Sequence, residues 1–125
     1  MAIDFSLTPE LEAIRARVRT FVDDVIRPGG AIIDGEGSAE PLDGTDRLKA
    51  LIGMRKQAHA EGLWLPHMPE EWGGMGLGHV ELAMVQAEAA RSYYGPWVLN
   101  CQAPDEGNMH TLLHWATDAQ KEKYL

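Results

Sequence analysis

The sequence predicts an all-α fold, a helical bundle of about five or six helices. Three observations support this class. Apolar residues recur at spacings of three and four in several stretches, no convincing stretch alternates apolar with polar residues, and proline or glycine separates the apolar stretches. The chain has 125 residues, the length of one domain, and 45% of them are hydrophobic, which is enough to form a core.

The first predicted helix begins after Thr8, whose hydroxyl can cap it, and Pro9 suits the first helical position. Its apolar stripe consists of Leu11, Ile14, Val18, Phe21, Val22 and Val25. We expect this helix to end near Arg27, because a Pro-Gly-Gly run follows. Residues 28–44 contain five glycines and two prolines, and they are predicted to form a loop.

Two longer helices are predicted next, over residues 45–61 and 80–91. The apolar stripe of the first consists of Leu48, Leu51 and Ile52, extended by the stem of Arg55 and by His59, and Gly62 is its stop. The second carries a narrow face of mostly small residues, which would allow another helix to approach closely. This face consists of Val80, Ala83, Met84, Ala87 and Ala90.

Three short helices complete the prediction. One covers residues 97–102 and is ended by Pro104, and another covers residues 109–116. The last opens at Thr117, which forms a capping-box pattern with Gln120. It reaches only Leu125, so we expect it to be marginal unless it docks against a neighbour.

Residues 68–78 read MPEEWGGMGLG, with four glycines in the last six positions. A dinucleotide fingerprint would need a glycine where His79 stands, and a P-loop would need Lys and then Ser or Thr after Gly78. Neither phosphate-binding pattern is complete. The stretch therefore predicts a tight turn in which at least one glycine has a positive φ.

Charge and composition exclude several classes of function. The net charge of −8 and the pI near 5.0 argue against a nucleic-acid partner. No apolar run approaches the ~20 residues of a membrane span, and Asp4 stands where a secretory signal would carry a positive charge. The single cysteine, Cys101, favours a reducing compartment, and we expect a cytoplasmic protein.

The residues alone suggest no catalytic, cofactor-binding or metal site. His110 and His114 are four apart and could face one way on a helix, but a metal site would need further ligands. Cys101 has no sequence neighbour that would mark it as a nucleophile. The tryptophans are most simply core or interface anchors.

Two motifs, in the right order, resemble the acyl-CoA dehydrogenase family. Residues 69–77, PEEWGGMGL, match a family run of P-E-E-aromatic-G-G-x-G-hydrophobic. Residues 116–125, ATDAQKEKYL, match G-[ST]-x-x-Q-K-x-x-[YW]-L, with Ala116 in place of glycine. Residues 100–109, NCQAPDEGNM, are similar to the subgroup that includes the human acyl-CoA dehydrogenase family members 10 and 11.

The resemblance implies that residues 1–125 are the N-terminal helical domain of such an enzyme, without the middle β-domain and the C-terminal helical domain. The intact enzyme would convert an acyl-CoA thioester to trans-2-enoyl-CoA, with FAD and a base held by those absent domains. An electron-transfer flavoprotein as acceptor and a homo-oligomer are also implied. In the family this domain forms one wall of the acyl-chain pocket, which would fall on Leu99, Asn100, Ala103 and Gly107.

The resemblance also suggests how this wall is shaped. Pro104 would kink the wall helix, and Gly107 would remove bulk, so both could open room for a long or substituted chain. The chain by itself is expected to be inactive. The alternative is a short non-catalytic all-α binding or partner subunit of the same ancestry.

Overall fold

The computed structural model describes Asp4, residues 6–37 and residues 40–125. The described residues form α-helices and no strand, so the predicted all-α class is confirmed. The helices are α1 (Pro9–Phe21), α2 (Arg27–Asp34), α3 (Gly44–Ala60), α4 (His79–Ala89), α5 (Gly95–Val98), α6 (Asp105–Trp115) and α7 (Asp118–Tyr124). A π-helical turn, Val22–Ile26, joins α1 to α2, and a 3-10 turn, Glu70–Trp72, precedes α4.

Helix α1 has the predicted start and the predicted buried stripe. The Leu11 N–H donates to the Thr8 hydroxyl at 3.3 Å, and Pro9 lies in the first turn. Val18, Phe21 and Val22 are buried, and the other members of the stripe are partly buried. This side of the helix packs against α4 in the core.

The predicted end of the first helix near Arg27 is wrong. The chain stays helical through the π-helical turn and α2, and it leaves the helix at Gly35, which has a φ of 68°. Pro28 stands at the junction of the π-helical turn and α2, inside one continuous run of helical residues. The loop is therefore shorter than predicted and begins at residue 35, and residues 38 and 39 of the predicted loop lie outside the described part of the chain.

Helices α3 and α4 have nearly the predicted bounds but bury different faces. In α3 the buried residues are Met54 and Ala58, whereas Leu48 and Ile52 are exposed. In α4 the buried apolar residues are Leu82, Val85 and Ala89. The predicted small-residue face of α4 is largely exposed, because the larger apolar side chains on the opposite face bury more area.

The last three helices differ from the prediction mainly in their bounds. The helix predicted over 97–102 covers only Gly95–Val98, and the one predicted over 109–116 begins four residues earlier, at Asp105. The capping box of α7 is confirmed, since the Gln120 N–H donates to the Thr117 hydroxyl and the Gln120 side chain accepts from the Thr117 N–H. Helix α7 packs against α6.

The core lies between α1, the π-helical turn, α4 and α5, and α2 and α3 close it with Ile33, Met54 and Ala58. It also includes the residues just after α5. Two arginines of α1 pair with Glu88 across the α1–α4 contact, and Arg15 Nη1 is the more distant, at 3.9 Å. The Arg19 guanidinium donates to both oxygens of the buried Glu88 carboxylate, at 3.0 and 2.8 Å. This contact fixes the register of the two helices.

Candidate functional site

The glycine-rich turn uses its own main-chain N–H groups. Each N–H from residue 72 to residue 77 donates to a carbonyl oxygen between residues 65 and 70, at 2.9–3.2 Å. Because these donors are occupied, the turn does not fit as a cradle for the pyrophosphate of FAD. Gly73 and Gly76 have φ values of 80° and 64°, which confirms the predicted positive φ.

The residues of the predicted wall run from the core to the surface. Leu99 is fully buried in the core, and Asn100 is 6% exposed. Ala103 and Gly107 lie on the surface, and a β-carbon built on Gly107 would meet no atom within 4 Å. The four predicted wall residues therefore lie in one segment, with the first two buried and the last two on the surface.

Pro104 does not kink a helix, contrary to the prediction. It lies at the N-cap of α6 and follows a cis peptide bond from Ala103. Residues 99–104 connect α5 to α6 without belonging to either helix. We name residues 97–107 the wall segment, because it contains all four predicted wall residues.

Three side chains from other parts of the fold hold the carbonyl groups of the wall segment. Arg55 Nε donates to the Trp97 carbonyl, and Gln86 Nε2 donates to the Cys101 carbonyl, both at 3.0 Å. His67 Nε2 lies 3.0 Å from the Asn100 carbonyl oxygen. Sequence reasoning missed these three residues, because their partners are main-chain atoms at least 15 positions away.

The hydrogen bonds of His67 determine its tautomer. A carbonyl oxygen can only accept, so His67 Nε2 carries the proton and donates to Asn100. His67 Nδ1 then accepts from His110 Nε2, which lies 3.1 Å away. Burial lowers the pKa of the His67 imidazole, although the Asn100 carbonyl and Glu106 oppose this effect.

Arg55 is stacked between two tryptophan side chains. Its guanidinium carbon lies 3.4 Å from the Trp97 ring centroid and 5.1 Å from the Trp64 ring centroid. Burial lowers the pKa of the Arg55 side chain. The stack fixes Trp97 at the start of the wall segment through its ring as well as its carbonyl.

Asn100 has an unusual backbone and an unpaired amide oxygen. Its φ is 53°, and its Oδ1 is buried with no hydrogen-bond partner among the described residues. Its Nδ2 donates to Met109 Sδ at 3.7 Å. Asn100 is also one of the residues that line a cleft of about 380 Å³, together with Trp64, Asn108 and Leu112.

The histidines and the cysteine show no arrangement for metal or nucleophilic chemistry. The His110 and His114 rings are stacked, with centroids 6.3 Å apart. Within residues 6–37 and 40–125, no group of three or more His, Cys, Asp or Glu side chains could hold a metal ion. Burial raises the pKa of the Cys101 thiol to about 12, so the thiolate nucleophile is scarce at neutral pH. Among the described helices, none is long and apolar enough to cross a membrane.

The fold and this site define an all-α domain whose distinctive feature is a short connecting segment held in place by distant side chains. The chain belongs to the acyl-CoA dehydrogenase family, because the model for the acyl-CoA dehydrogenase N-terminal domain matches residues 8–125.

Curated relatives and one solved structure agree with this assignment. The chain is 38% identical over 72 residues to human acyl-CoA dehydrogenase family member 11, a match that covers 58% of this chain and 9% of that protein. It is 30% identical over 119 residues to (2S)-methylsuccinyl-CoA dehydrogenase from Cereibacter sphaeroides, covering 95% of this chain and 20% of that protein. An acyl-CoA dehydrogenase structure from Mycobacterium abscessus is similar with a TM-score of 0.75 and 27% identity, covering 97% of this chain and 31% of that one.

Proposed function

We propose that this chain is the N-terminal helical domain of a flavin-dependent acyl-CoA dehydrogenase. The observation that carries the proposal is the match of residues 8–125 to the family's N-terminal domain, together with its similarity to a solved dehydrogenase over 97% of the chain. The intact enzyme would desaturate an acyl-CoA thioester between its α and β carbons. FAD would accept the hydride, and both FAD and the base would be held by residues outside these 125.

Within that enzyme, the wall segment would form one side of the acyl-chain pocket. Leu99 would support it from the core, because its side chain is fully buried. Ala103 and Gly107 would face the acyl chain, because both are exposed and small. Asn100 would lie between the core and the exposed surface of the wall.

The proposal includes partners and a location. The substrate is an acyl-CoA, the electron acceptor is an electron-transfer flavoprotein, and the enzyme is a homo-oligomer. The one cysteine of the chain is free and buried, which is compatible with a reducing compartment, and we place the protein in the cytoplasm.

Substitutions in the wall segment of the whole dehydrogenase test its role. Gly107→Leu and Ala103→Leu would fill the pocket, and we expect KM for long acyl chains to rise by about tenfold or more. Ala13→Leu, at an exposed position of α1, is the matched control. Unchanged KM values in both wall variants would argue against a pocket at this surface.

The chain by itself provides a second test. We expect pure chain to show no visible flavin absorbance and no turnover of acyl-CoA. Stoichiometric flavin co-eluting with the chain would contradict this expectation. The alternative function is a non-catalytic partner subunit. It is tested by comparing the intact mass of the natural protein with the length of its reading frame, because a natural protein of 125 residues would favour the subunit and a longer one would favour the dehydrogenase.

A further inference from the structure

A single imidazole contacts both the wall segment and the part of α6 that follows it. His67 Nε2 donates to the Asn100 carbonyl near the start of the segment. His67 Nδ1 accepts from His110 on α6, one turn beyond Gly107 at the end of the segment. The ring is buried, so water does not compete freely for either nitrogen.

The backbone of Asn100 is supported from outside the segment. Its φ of 53° lies in the left-handed region, which asparagine adopts more readily than most residues with a side chain, and the contacts around it favour that conformation. The Asn100 side chain contributes one contact, from Nδ2 to Met109 Sδ, because its Oδ1 has no partner among the described atoms. The N–H groups of Asn100 and Cys101 close the turn by donating to the carbonyls of Trp97 and Pro96. The side chains that donate to the carbonyls of Trp97, Asn100 and Cys101 hold this turn from outside.

We propose that His67 is a positioning residue that sets the distance between the two ends of the wall segment, and through it the acyl-chain selectivity of the enzyme. This inference rests on the proposed function. His67 is not one of the four predicted wall residues, and in this proposal it does not contact the acyl chain. It acts through the Asn100 main chain on one side and through α6, which carries Gly107, on the other.

Two conservative substitutions separate the two contacts of the ring. In His67→Gln the side-chain amide can place an N–H where Nε2 lies, and the bond to the Asn100 carbonyl is kept. In His67→Asn the shorter amide reaches the position of Nδ1 and that bond is lost, which leaves a buried carbonyl unpaired. His59→Asn, at an exposed histidine of α3, is the matched control.

The first measurement is hydrogen exchange on the chain, followed at the amides of Leu65 and Cys101. Leu65 N–H donates to the Leu99 carbonyl, and Cys101 N–H donates to the Pro96 carbonyl, so both report on the turn. In His67→Asn we expect exchange at these amides to rise by about tenfold, with α1 unchanged. His67→Gln and His59→Asn should stay within about twofold of the wild type. An equal rise in α1 would indicate general destabilisation and would overturn the inference.

The second measurement is the selectivity of the whole dehydrogenase for saturated acyl-CoA thioesters of increasing chain length. In His67→Asn we expect the ratio of kcat/KM between long and short chains to change by about tenfold, mainly through KM. His67→Gln keeps the Asn100 contact but loses the acceptor for His110, so its ratio should change in the same direction as that of His67→Asn but by less, and His59→Asn should keep the wild-type ratio. If the wild type is active and the ratio is unchanged in His67→Asn, this inference is overturned and the proposed function stands. If the wild type shows no turnover, the proposed function is overturned, and this inference with it.

Discussion

At the scale of single residues, the adjacent Gly73 and Gly74 are needed for different reasons. Gly73 has a φ of 80°, with open space around it. Gly74 does not have a positive φ, but a β-carbon there would lie 2.7 Å from the Leu65 carbonyl oxygen and closer still to that of Met68. Conformation restricts the first position, and lack of space restricts the second.

Alanine substitutions should separate these two effects. Gly73→Ala should lower the free energy of unfolding by about 1 kcal/mol, the cost of a left-handed backbone. Gly74→Ala should lower it further, because main-chain atoms must move. Gly53→Ala, inside α3 with no atom within 4 Å of its β-carbon, should raise it by about 0.5–1 kcal/mol. Urea denaturation measures all three, and a neutral Gly74→Ala would contradict the steric argument.

The buried His67 should make stability depend on pH. Burial lowers the pKa of its imidazole below the ordinary value of 6.5, against the opposing effects of the Asn100 carbonyl and Glu106. Below about pH 6.5 the unfolded chain therefore binds more protons at this residue than the folded chain does. The free energy of unfolding should fall as pH drops through 6.5 toward the lower folded pKa.

Thermal denaturation at several pH values between neutral and acid checks this prediction. His67→Gln removes the titrating group but keeps the donor to Asn100, so its stability should vary less with pH than that of the wild type. The exposed His59→Gln should retain the wild-type dependence. Identical pH profiles for the wild type and His67→Gln would contradict the prediction.

At the scale of elements, α7 depends on its capping box more than a longer helix would. It has seven residues, and isolated helices of this length are marginal in water. Thr117→Ala should therefore cost about 1 kcal/mol and speed hydrogen exchange in α7 by about fivefold. Thr45→Ala, at an exposed threonine within α3, is the control. Equal exchange in wild type and Thr117→Ala would show that packing on α6 alone orders α7.

The elements also show where sequence reasoning succeeded and where it failed. The cap at Thr8, the capping box at Thr117 and the stripe of α1 were predictable, because local chemistry determines them. The continuation through Pro28 was not, because it depends on tertiary contacts. A β-carbon on Gly30 would lie 2.9 Å from the Tyr94 ring, and one on Gly29 would lie 2.5 Å from Met54 Sδ, so both glycines allow close packing. The buried faces of α3 and α4 were mispredicted because both helices carry apolar residues on more than one side.

The candidate site was only partly predictable. The motifs identified the family, which the match to residues 8–125 confirms, and the four wall residues stay a prediction. The sequence could not show that His67, Arg55 and Gln86 hold the carbonyls of the wall segment. A main-chain acceptor leaves no residue-type signal, so this information exists only in the folded chain.

At the scale of the whole molecule, the exposed apolar side chains predict self-association. The apolar residues in and next to the predicted wall do not supply this exposed surface, because Leu99 lies in the core and Trp97 and Met109 are partly buried. Large apolar side chains are exposed elsewhere, including Val80 at 67% and Trp115 at 86%.

The outward face of α4 is the most regular of these apolar surfaces. Val80, Ala83 and Ala87 are exposed at spacings of three and four residues, so they form one strip. Burying such a strip against a second copy gains about 25 cal/mol per Å² of apolar area. We therefore expect sedimentation velocity to show reversible association that increases with concentration. The double variant Val80→Glu/Ala87→Glu should shift the chain toward monomer, whereas Ala13→Glu on the exposed side of α1 should not. A wild-type chain that stays monomeric at every concentration would contradict the prediction.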